Sequence, residues 1–353
     1  MEYNGKQIYE EEPGAADGYR SAYVCGINKY ILDQQTLYKQ KREGFMTPKA
    51  LRTDPEYFRK KYLEMIGMDA LPAHQIADPE ITFVGEDDIC GIYRVVVYPV
   101  AQVPFYAMLL IPREAKKPMP LVIAQHGGGG TPELCCDMNG KNNYSHMVQR
   151  ILEREAAVLA PQLLLWAQTE LETARAHPIA YDRGKMDWEL KRFGTSITAL
   201  EIAGIQRCLD FVLDMDEIDN ERVGMIGLSY GGYFAMHTMA ADTRILAGYS
   251  AGAFNDRDFH SKPDWSYQGS AGCFQDAEVA ALCAPRKLYI QVGKEDSVFD
   301  YRQSVDEAER VKPYYEAFGC PENFVFDLWE GGHRVSDHDG GYDFLFSVLR
   351  EKE

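Results

Sequence analysis

The chain has 353 residues, 46% of them hydrophobic and 26% charged, a composition that excludes the disordered, collagenous and membrane-embedded classes. Its 54 Asp and Glu against 37 Lys and Arg give a formal charge of -17, which repels polyanions and argues against a nucleic-acid partner. No stretch approaches the roughly 20 apolar residues that cross a bilayer, so no membrane partner is expected.

The start, Met1-Glu2-Tyr3-Asn4-Gly5-Lys6, lacks the basic and apolar regions of a signal peptide. The eight cysteines are scattered, with no CxxC pair and no zinc spacing. They read as reduced thiols of a cytoplasmic protein that needs no metal. Residues 1–80 read as an extension packed on a main domain of residues 81–353. Residues 1–50 are polar and Tyr-rich, with Glu10-Glu11-Glu12-Pro13-Gly14 as loop, and a helix is expected over Asp54–Ile66 with Pro55 in its first turn.

From residue 81 the pattern turns to strands. Ile92–Val97 and Phe105–Ile111 are β-branched and aromatic, punctuated by Pro99, Pro104 and Pro112, and suit an antiparallel start to a sheet. Leu121-Val122-Ile123-Ala124 is a short continuous apolar run, the mark of a strand covered on both faces. Then helices and strands alternate: helix Tyr144–Arg154, strand Ala156–Ala160, helix Ser196–Leu213, strand Val223–Ile226, a helix from Tyr230, and strand Ile245–Tyr249. Strand Lys287–Val292, helix Gln303–Ala317, strand Phe324–Leu328 and helix Gly341–Leu349 complete the series. This alternation predicts an α/β fold with a mostly parallel, doubly wound sheet, whose ligands bind beyond the carboxyl ends of the strands.

Gly227-Leu228-Ser229-Tyr230-Gly231-Gly232 falls between a predicted strand and a predicted helix. In that context a G-x-S-x-G string exposes its serine at a helix N-terminus, where negative charge is favoured. Its flanking glycines allow the turn to be tight. His126-Gly127-Gly128-Gly129-Gly130 follows the strand Leu121–Ala124. Its N–H groups, Gly128 first and Gly129 second, would join the N–H of Tyr230 in stabilising an oxyanion. The Lys-Ser/Thr ending of a phosphate-binding loop is missing, and His126 reads as structural.

Ser229 as nucleophile needs a base and an orienting acid, in the order Ser, acid, His. His333 in Trp329-Glu330-Gly331-Gly332-His333 follows the last predicted strand and is the favoured base, with His338 its rival. His237 lies inside the helix after the serine, and His260 has no assignment. Asp296, just past strand Lys287–Val292, is the favoured acid, with Glu295 and Asp300 as alternatives.

Taken together these residues resemble the α/β-hydrolase superfamily from about residue 81 onward. Within it the chain is most similar to dienelactone-hydrolase and acetyl-xylan-esterase-like bacterial serine esterases. The strings that carry this likeness are Gln125-His126-Gly127-Gly128-Gly129, the Gly227–Gly232 string, and Val279-Ala280-Ala281-Leu282-Cys283-Ala284-Pro285-Arg286. A dienelactone hydrolase proper would carry cysteine where Ser229 stands. The resemblance implies a serine esterase using Ser229, Asp296 and His333 without cofactor, acting on a small-molecule or oligosaccharide ester, with acetylated or methyl-esterified sugars among its substrates. A homo-oligomer is compatible with this reading. The rivals are a serine peptidase of the prolyl-oligopeptidase type, whose large propeller about 80 residues cannot build, and a catalytically silent binding protein of the same fold. An acyltransferase uses the same triad. The segments Pro161–Gly194 and Asn255–Phe274 are expected to overhang the site and to supply Trp166, Trp188 and Trp265 for stacking on sugar rings.

Overall fold

The computed structural model describes residues 1–72, 77–101, 103–138, 140, 142–165 and 181–350. A short hairpin, β1 (Glu2–Tyr3) and β2 (Lys6–Gln7), precedes three helices: α1 (Asp17–Phe45), α2 (Pro48–Thr53) and α3 (Pro55–Ile66). The sequence pattern predicts α3 but not α1. Helix α1 carries tyrosines and valine amid polar residues and buries a single residue, Arg42, so it lacks the apolar stripe that marks a packed helix. Helix α3 starts as expected, with Pro55 at N1 and the Asp54 carboxylate accepting from Tyr57 N at 3.0 Å. It stops at Gly67, whose φ of 82° is the left-handed cap conformation.

The sheet begins with β3 (Glu80–Glu86), β4 (Cys90–Val100) and β5 (Val103–Pro112), all antiparallel neighbours. It continues with β6 (Met119–Gln125), β7 (Ala157–Pro161), β8 (Ile218–Leu228), β9 (Ile245–Ala251), β10 (Lys287–Gly293) and β11 (Phe324–Trp329). Their order across the sheet is β11-β10-β9-β8-β6-β7-β5-β4-β3, parallel from β7 through β11. The connecting helices are α4 (Pro132–Cys135), α5 (Met147–Leu152), α6 (Arg183–Arg192), α7 (Ile197–Val212), α8 (Tyr230–Ala241), α9 (Asp276–Leu282), α10 (Tyr301–Phe318) and α11 (Gly340–Phe346). This is the α/β-hydrolase fold.

Side chains of β6 alternate between two cores. Leu121 and Ile123 enter one with α7, α8, α9 and α10, while Val122 and Ala124 enter the other with α5 and α11. A strand apolar at every position is what such double coverage requires. The helix expected over Tyr144–Arg154 is shorter, because Ser145 and His146 adopt φ of 51° and 56° ahead of it and Glu155 adopts 60° behind. Among the described residues no helix is long and apolar enough to cross a membrane.

Residues ahead of the sheet are built into the larger core. Leu51, Phe58, Tyr62 and Ile66 are buried there, and Arg59 Nε donates to Ala240 O of α8 at 3.1 Å. Helix α7 is joined to α3 by one hydroxyl: Ser196 Oγ accepts from Ala199 N as a cap and donates to Ile66 O at 2.7 Å. Leu51→Ala is therefore expected to lower global stability by about 2–5 kcal/mol, as for a buried leucine elsewhere. Urea denaturation followed by circular dichroism should show this as a shifted midpoint with unchanged slope.

Candidate active site

The carboxyl ends of the central strands open onto a cavity of about 230 Å³, lined by Gly127, Gly128, Ser229, Tyr230, Trp265 and His333 among others. Ser229 connects β8 to α8 with φ 58° and ψ -121°, a conformation a non-glycine residue holds only when its surroundings enforce it. Here Ser229 N donates to Ala251 O at 2.8 Å, and the flanking backbone leaves no room for other paths. A Cβ on Gly231 would lie 2.1 Å from Gln125 O, and one on Gly227 would lie 2.2 Å from Gly231 O. The glycines are there because backbone touches backbone. Tyr230 is the first residue of α8, where N–H groups have no acceptor within the helix itself.

The glycine run beside it is held by His126. This buried ring accepts from Leu163 N at its Nε2 (2.9 Å), so its Nδ1 carries the proton donated to Gly127 O (2.9 Å). Burial lowers the imidazole pKa to about 4, which keeps that arrangement neutral. Gly127 N donates to the Tyr144 hydroxyl at 2.9 Å. Gly129 takes φ 69°, and Gly130 N returns to Gly127 O at 3.0 Å. The run is a fixed turn that presents Gly128 to the cavity while Gly129 is buried behind it.

His333 and Asp296 come from the loops after β11 and β10. Those loops approach closely because a Cβ on Gly293 would sit 2.1 Å from Gly331 O; Glu295 N donates to that same carbonyl at 2.9 Å. His333 Nδ1 and Asp296 Oδ2 are 2.8 Å apart. The Asp296 side chain is wholly covered, and its Oδ1 accepts from Val298 N and Phe299 N at 2.7 and 3.0 Å. Burial pushes its pKa up, but the His333 hydrogen bond and charge and the two N–H donors outweigh it, leaving the carboxyl below its ordinary value. An ionised carboxylate on Nδ1 fixes the tautomer that leaves Nε2 free to accept a proton. Among the described residues no hydrogen bond joins Ser229 to His333; the two share the cavity, and such pairs often tighten only around substrate.

The rivals stand elsewhere. His338 Nε2 lies 3.1 Å from Asp327 Oδ2 on the other side of the β11 end, and Asp300 caps α10. Glu295 is exposed. His237 is buried against Tyr62, its Nδ1 2.7 Å from that hydroxyl. Of the three tryptophans expected at the site, Trp265 lines the cavity. Trp188 does not: it sits on the outer face of α6, 60% exposed, under the Arg192 guanidinium. Trp166 lies outside the described residues. A larger groove of about 930 Å³ between β5 and α6, lined by Phe105, Leu164, Leu190 and Leu200, does not include Ser229.

Several residues at the site carried no sequence signal. Asn143 Nδ2 donates to His333 O at 3.0 Å, and Ser145 Oγ donates to Val335 O at 2.6 Å, so the segment between α4 and α5 steadies the histidine loop. Phe299 stacks on the His333 ring, with centroids 5.8 Å apart. His260 lines the cavity with its Nε2 buried and, among the described residues, unpartnered; among those same residues Lys262 is the one Lys, Arg, Asp or Glu lining it. Beneath the cavity a buried set ties α6 to the elbow. Arg183 bonds both oxygens of Glu201 (2.9 and 2.8 Å) and Asp264 Oδ2 (2.7 Å), while Asp264 Oδ1 accepts from the Tyr230 hydroxyl at 3.2 Å. Burial opposes the Arg183 charge, yet the two carboxylates more than offset it and its pKa is raised. Among the described residues no three His, Cys, Asp or Glu side chains assemble as a metal site.

No family model matches the chain. Among solved structures it is similar to a methylesterase (TM-score 0.68, 18% identity, 90% of this chain and 68% of that one). It is also similar to a Bacteroides fragilis protein provisionally assigned as an acetyl xylan esterase (TM-score 0.65, 15% identity, 85% and 83%). A third is a glucuronoyl esterase from Solibacter usitatus (TM-score 0.60, 17% identity, 82% and 91%). At these identities the likeness is one of fold. Among curated proteins it matches the 2,6-dihydropseudooxynicotine hydrolase of Paenarthrobacter nicotinovorans with 27% identity over 77 residues, 20% of this chain and 21% of that protein. The match thus spans about a fifth of that relative.

The backbone contact at the elbow gives a direct expectation. Gly231→Ala must force Gln125 and the α8 turn apart, costing about 2–3 kcal/mol as overpacking, and a urea unfolding curve should show that loss.

Proposed function

We propose that the chain is a serine carboxylic-ester hydrolase. The observation that carries this reading is a single cavity that holds Ser229 on a strained strand–helix turn, the His333 imidazole oriented by buried Asp296, and the Gly128 loop. His333 Nε2 takes the Ser229 proton as Oγ attacks the ester carbonyl, forming the new C–O bond as the carbonyl electrons move onto oxygen. The N–H groups of Gly128 and Tyr230 receive that oxyanion, with Gly129 holding the turn. The tetrahedral intermediate collapses, the alcohol leaves with the proton from His333, and an acyl-enzyme remains. Water, deprotonated by His333, then releases the acid and restores Ser229. Asp296 stays ionised throughout and balances the imidazolium. No cofactor enters this scheme.

For the substrate, the similar solved structures bear the names methylesterase, acetyl xylan esterase and glucuronoyl esterase, which supports an acetylated or methyl-esterified carbohydrate. Trp265 lines the cavity, but Tyr233 stacks on its ring at 4.9 Å and the Arg257 guanidinium lies 4.4 Å over it, so it shapes the cavity wall without offering an open face to a sugar ring. The peptidase alternative has less support: ahead of β3 the described residues form a two-residue-stranded hairpin and helices, not the blades that would screen peptides.

The test is a hydrolysis panel of p-nitrophenyl acetate, a longer-chain p-nitrophenyl ester, an acetylated xylo-oligosaccharide, a methyl uronate and a prolyl peptide amide. Wild type is expected to cleave esters, and Ser229→Ala to lose that turnover by at least 10³-fold or so at nearly unchanged Tm. Cleavage of the amide alone would install the peptidase reading instead. Separately, His333→Ala should lose activity on a similar scale, whereas His338→Ala should stay within a few-fold of wild type. A dead His338→Ala would transfer the base to that residue.

A further inference from the structure

Helix α1 is a rod of 29 residues, about 44 Å long at 1.5 Å per residue. Its carboxyl half is seated on the body. Gln35 Nε2 donates to Asp258 O at 3.4 Å, and fully buried Arg42 bonds Ala271 O and pairs with Glu278 at 3.3 Å. The amino half projects: every residue from Asp17 to Asp33 is exposed. Along it Tyr19, Tyr23, Ile27, Tyr30 and Ile31 recur at i, i+4, i+8, i+11 and i+12, one face of a helix. Their exposures run from 42% to 82%.

Water is a poor neighbour for that face, and the helix has little else to sustain it. Tyrosine, valine and isoleucine are mediocre helix formers, and Gly26 in mid-helix costs about 1 kcal/mol against alanine. A helix without tertiary packing is marginal even with better residues. At these exposures, three tyrosines of roughly 150–250 Å² each, with the two isoleucines, bring the face to roughly 500–700 Å², near the ~800 Å² that one partner contributes to a standard specific interface.

We propose that this face docks on a second copy of the chain, α1 lying antiparallel against α1 of its mate about a twofold axis. Charge selects the direction. Glu11 and Glu12 stand at the amino end, where Glu10 and Asp17 are already paired with the Met1 amino group and Arg20, and Lys39 and Lys41 stand at the carboxyl end. An antiparallel pair sets the acidic end of each helix beside the basic end of the other, whereas a parallel pair stacks like on like. Such an arrangement is self-complementary, as a closed dimer requires. The acidic end and the net charge of -17 are also ill suited to the anionic surface of a membrane. Because α1 rests on the loop that carries His260, Lys262 and Trp265 into the catalytic cavity, the mate would buttress that wall from outside.

Sedimentation velocity on the full chain at micromolar concentration tests this. Wild type should sediment with the mass of two chains, and the exposed double substitution Ile27→Glu, Tyr30→Glu should raise the dimer Kd at least tenfold or so, with circular dichroism confirming a folded body. Lys39→Glu with Lys41→Glu should weaken the dimer, and adding Glu11→Lys with Glu12→Lys should restore it. A single-chain mass for wild type, or a dimer indifferent to Ile27→Glu, Tyr30→Glu, overturns the proposal. Failure of the charge swap to restore association overturns the antiparallel arrangement. Monomeric wild type that floats with phosphatidylcholine vesicles, and loses this with the double substitution, assigns the face to a lipid surface.

Discussion

The carbonyl of Gln125 at the end of β6 occupies the place where a side chain on residue 231 would begin. That contact fixes the first turn of α8 against a neighbouring strand, and much of the site depends on it. With the turn pressed onto β6, the chain can pass from strand to helix only through a residue at positive φ, and Ser229 is that residue. The glycine loop leaving β6 is then beside the α8 N-terminus by construction, which sets the Gly128 and Tyr230 backbones on one side of the serine. Strain at Ser229 is thus carried by two flat backbone surfaces, not by its own side chain.

A second constraint is electrostatic. The chain is acidic overall, yet its interior carboxylates near the site are paired, often with arginine. Arg257 engages both oxygens of Asp276 at 2.6 Å, and Arg183 joins Glu201 to Asp264. Arg310 bridges Glu278 and Glu307, and burial still pushes Glu307 up to about 7. Pairs of this kind add little to stability beyond what apolar residues would give, but a lone member is costly. They act as register marks: Arg257–Asp276, Arg310–Glu278 and Arg183–Asp264 link separate segments to one another, and the Arg183 set ends on the Tyr230 hydroxyl.

The sheet, its order of helices and strands, and the elbow could be read from sequence because each is encoded within a few neighbours. Leu121–Ala124 announces a doubly covered strand, and Gly227–Gly231 announces a turn with no room for Cβ. His333 and Asp296 could be ranked because the loops after successive strands must lie side by side. Other features depend on distant partners and leave no local trace. Asn143 reaches His333 O, and His126 is tied to Leu163 N; neither pairing has a spacing rule. Helix α1 was invisible because most of it buries nothing within its own chain. Trp188 shows the reverse error, since aromatic composition says nothing about which way a helix faces.

One of those pairings also governs the segment that leaves β7. Leu164 N donates to Glu201 Oε1 at 2.9 Å, and Arg183 bonds both Leu164 O and the same carboxylate. Leu164 and Arg183 are therefore buckled together through one carboxylate of α7, and through Asp264 the same guanidinium reaches the hydroxyl of Tyr230, the first residue of α8. The buckle makes the end of β7, the start of α6 and the first turn of α8 answer to one another: removing Glu201 would leave the Arg183 charge buried with one carboxylate instead of two and would loosen all three at once.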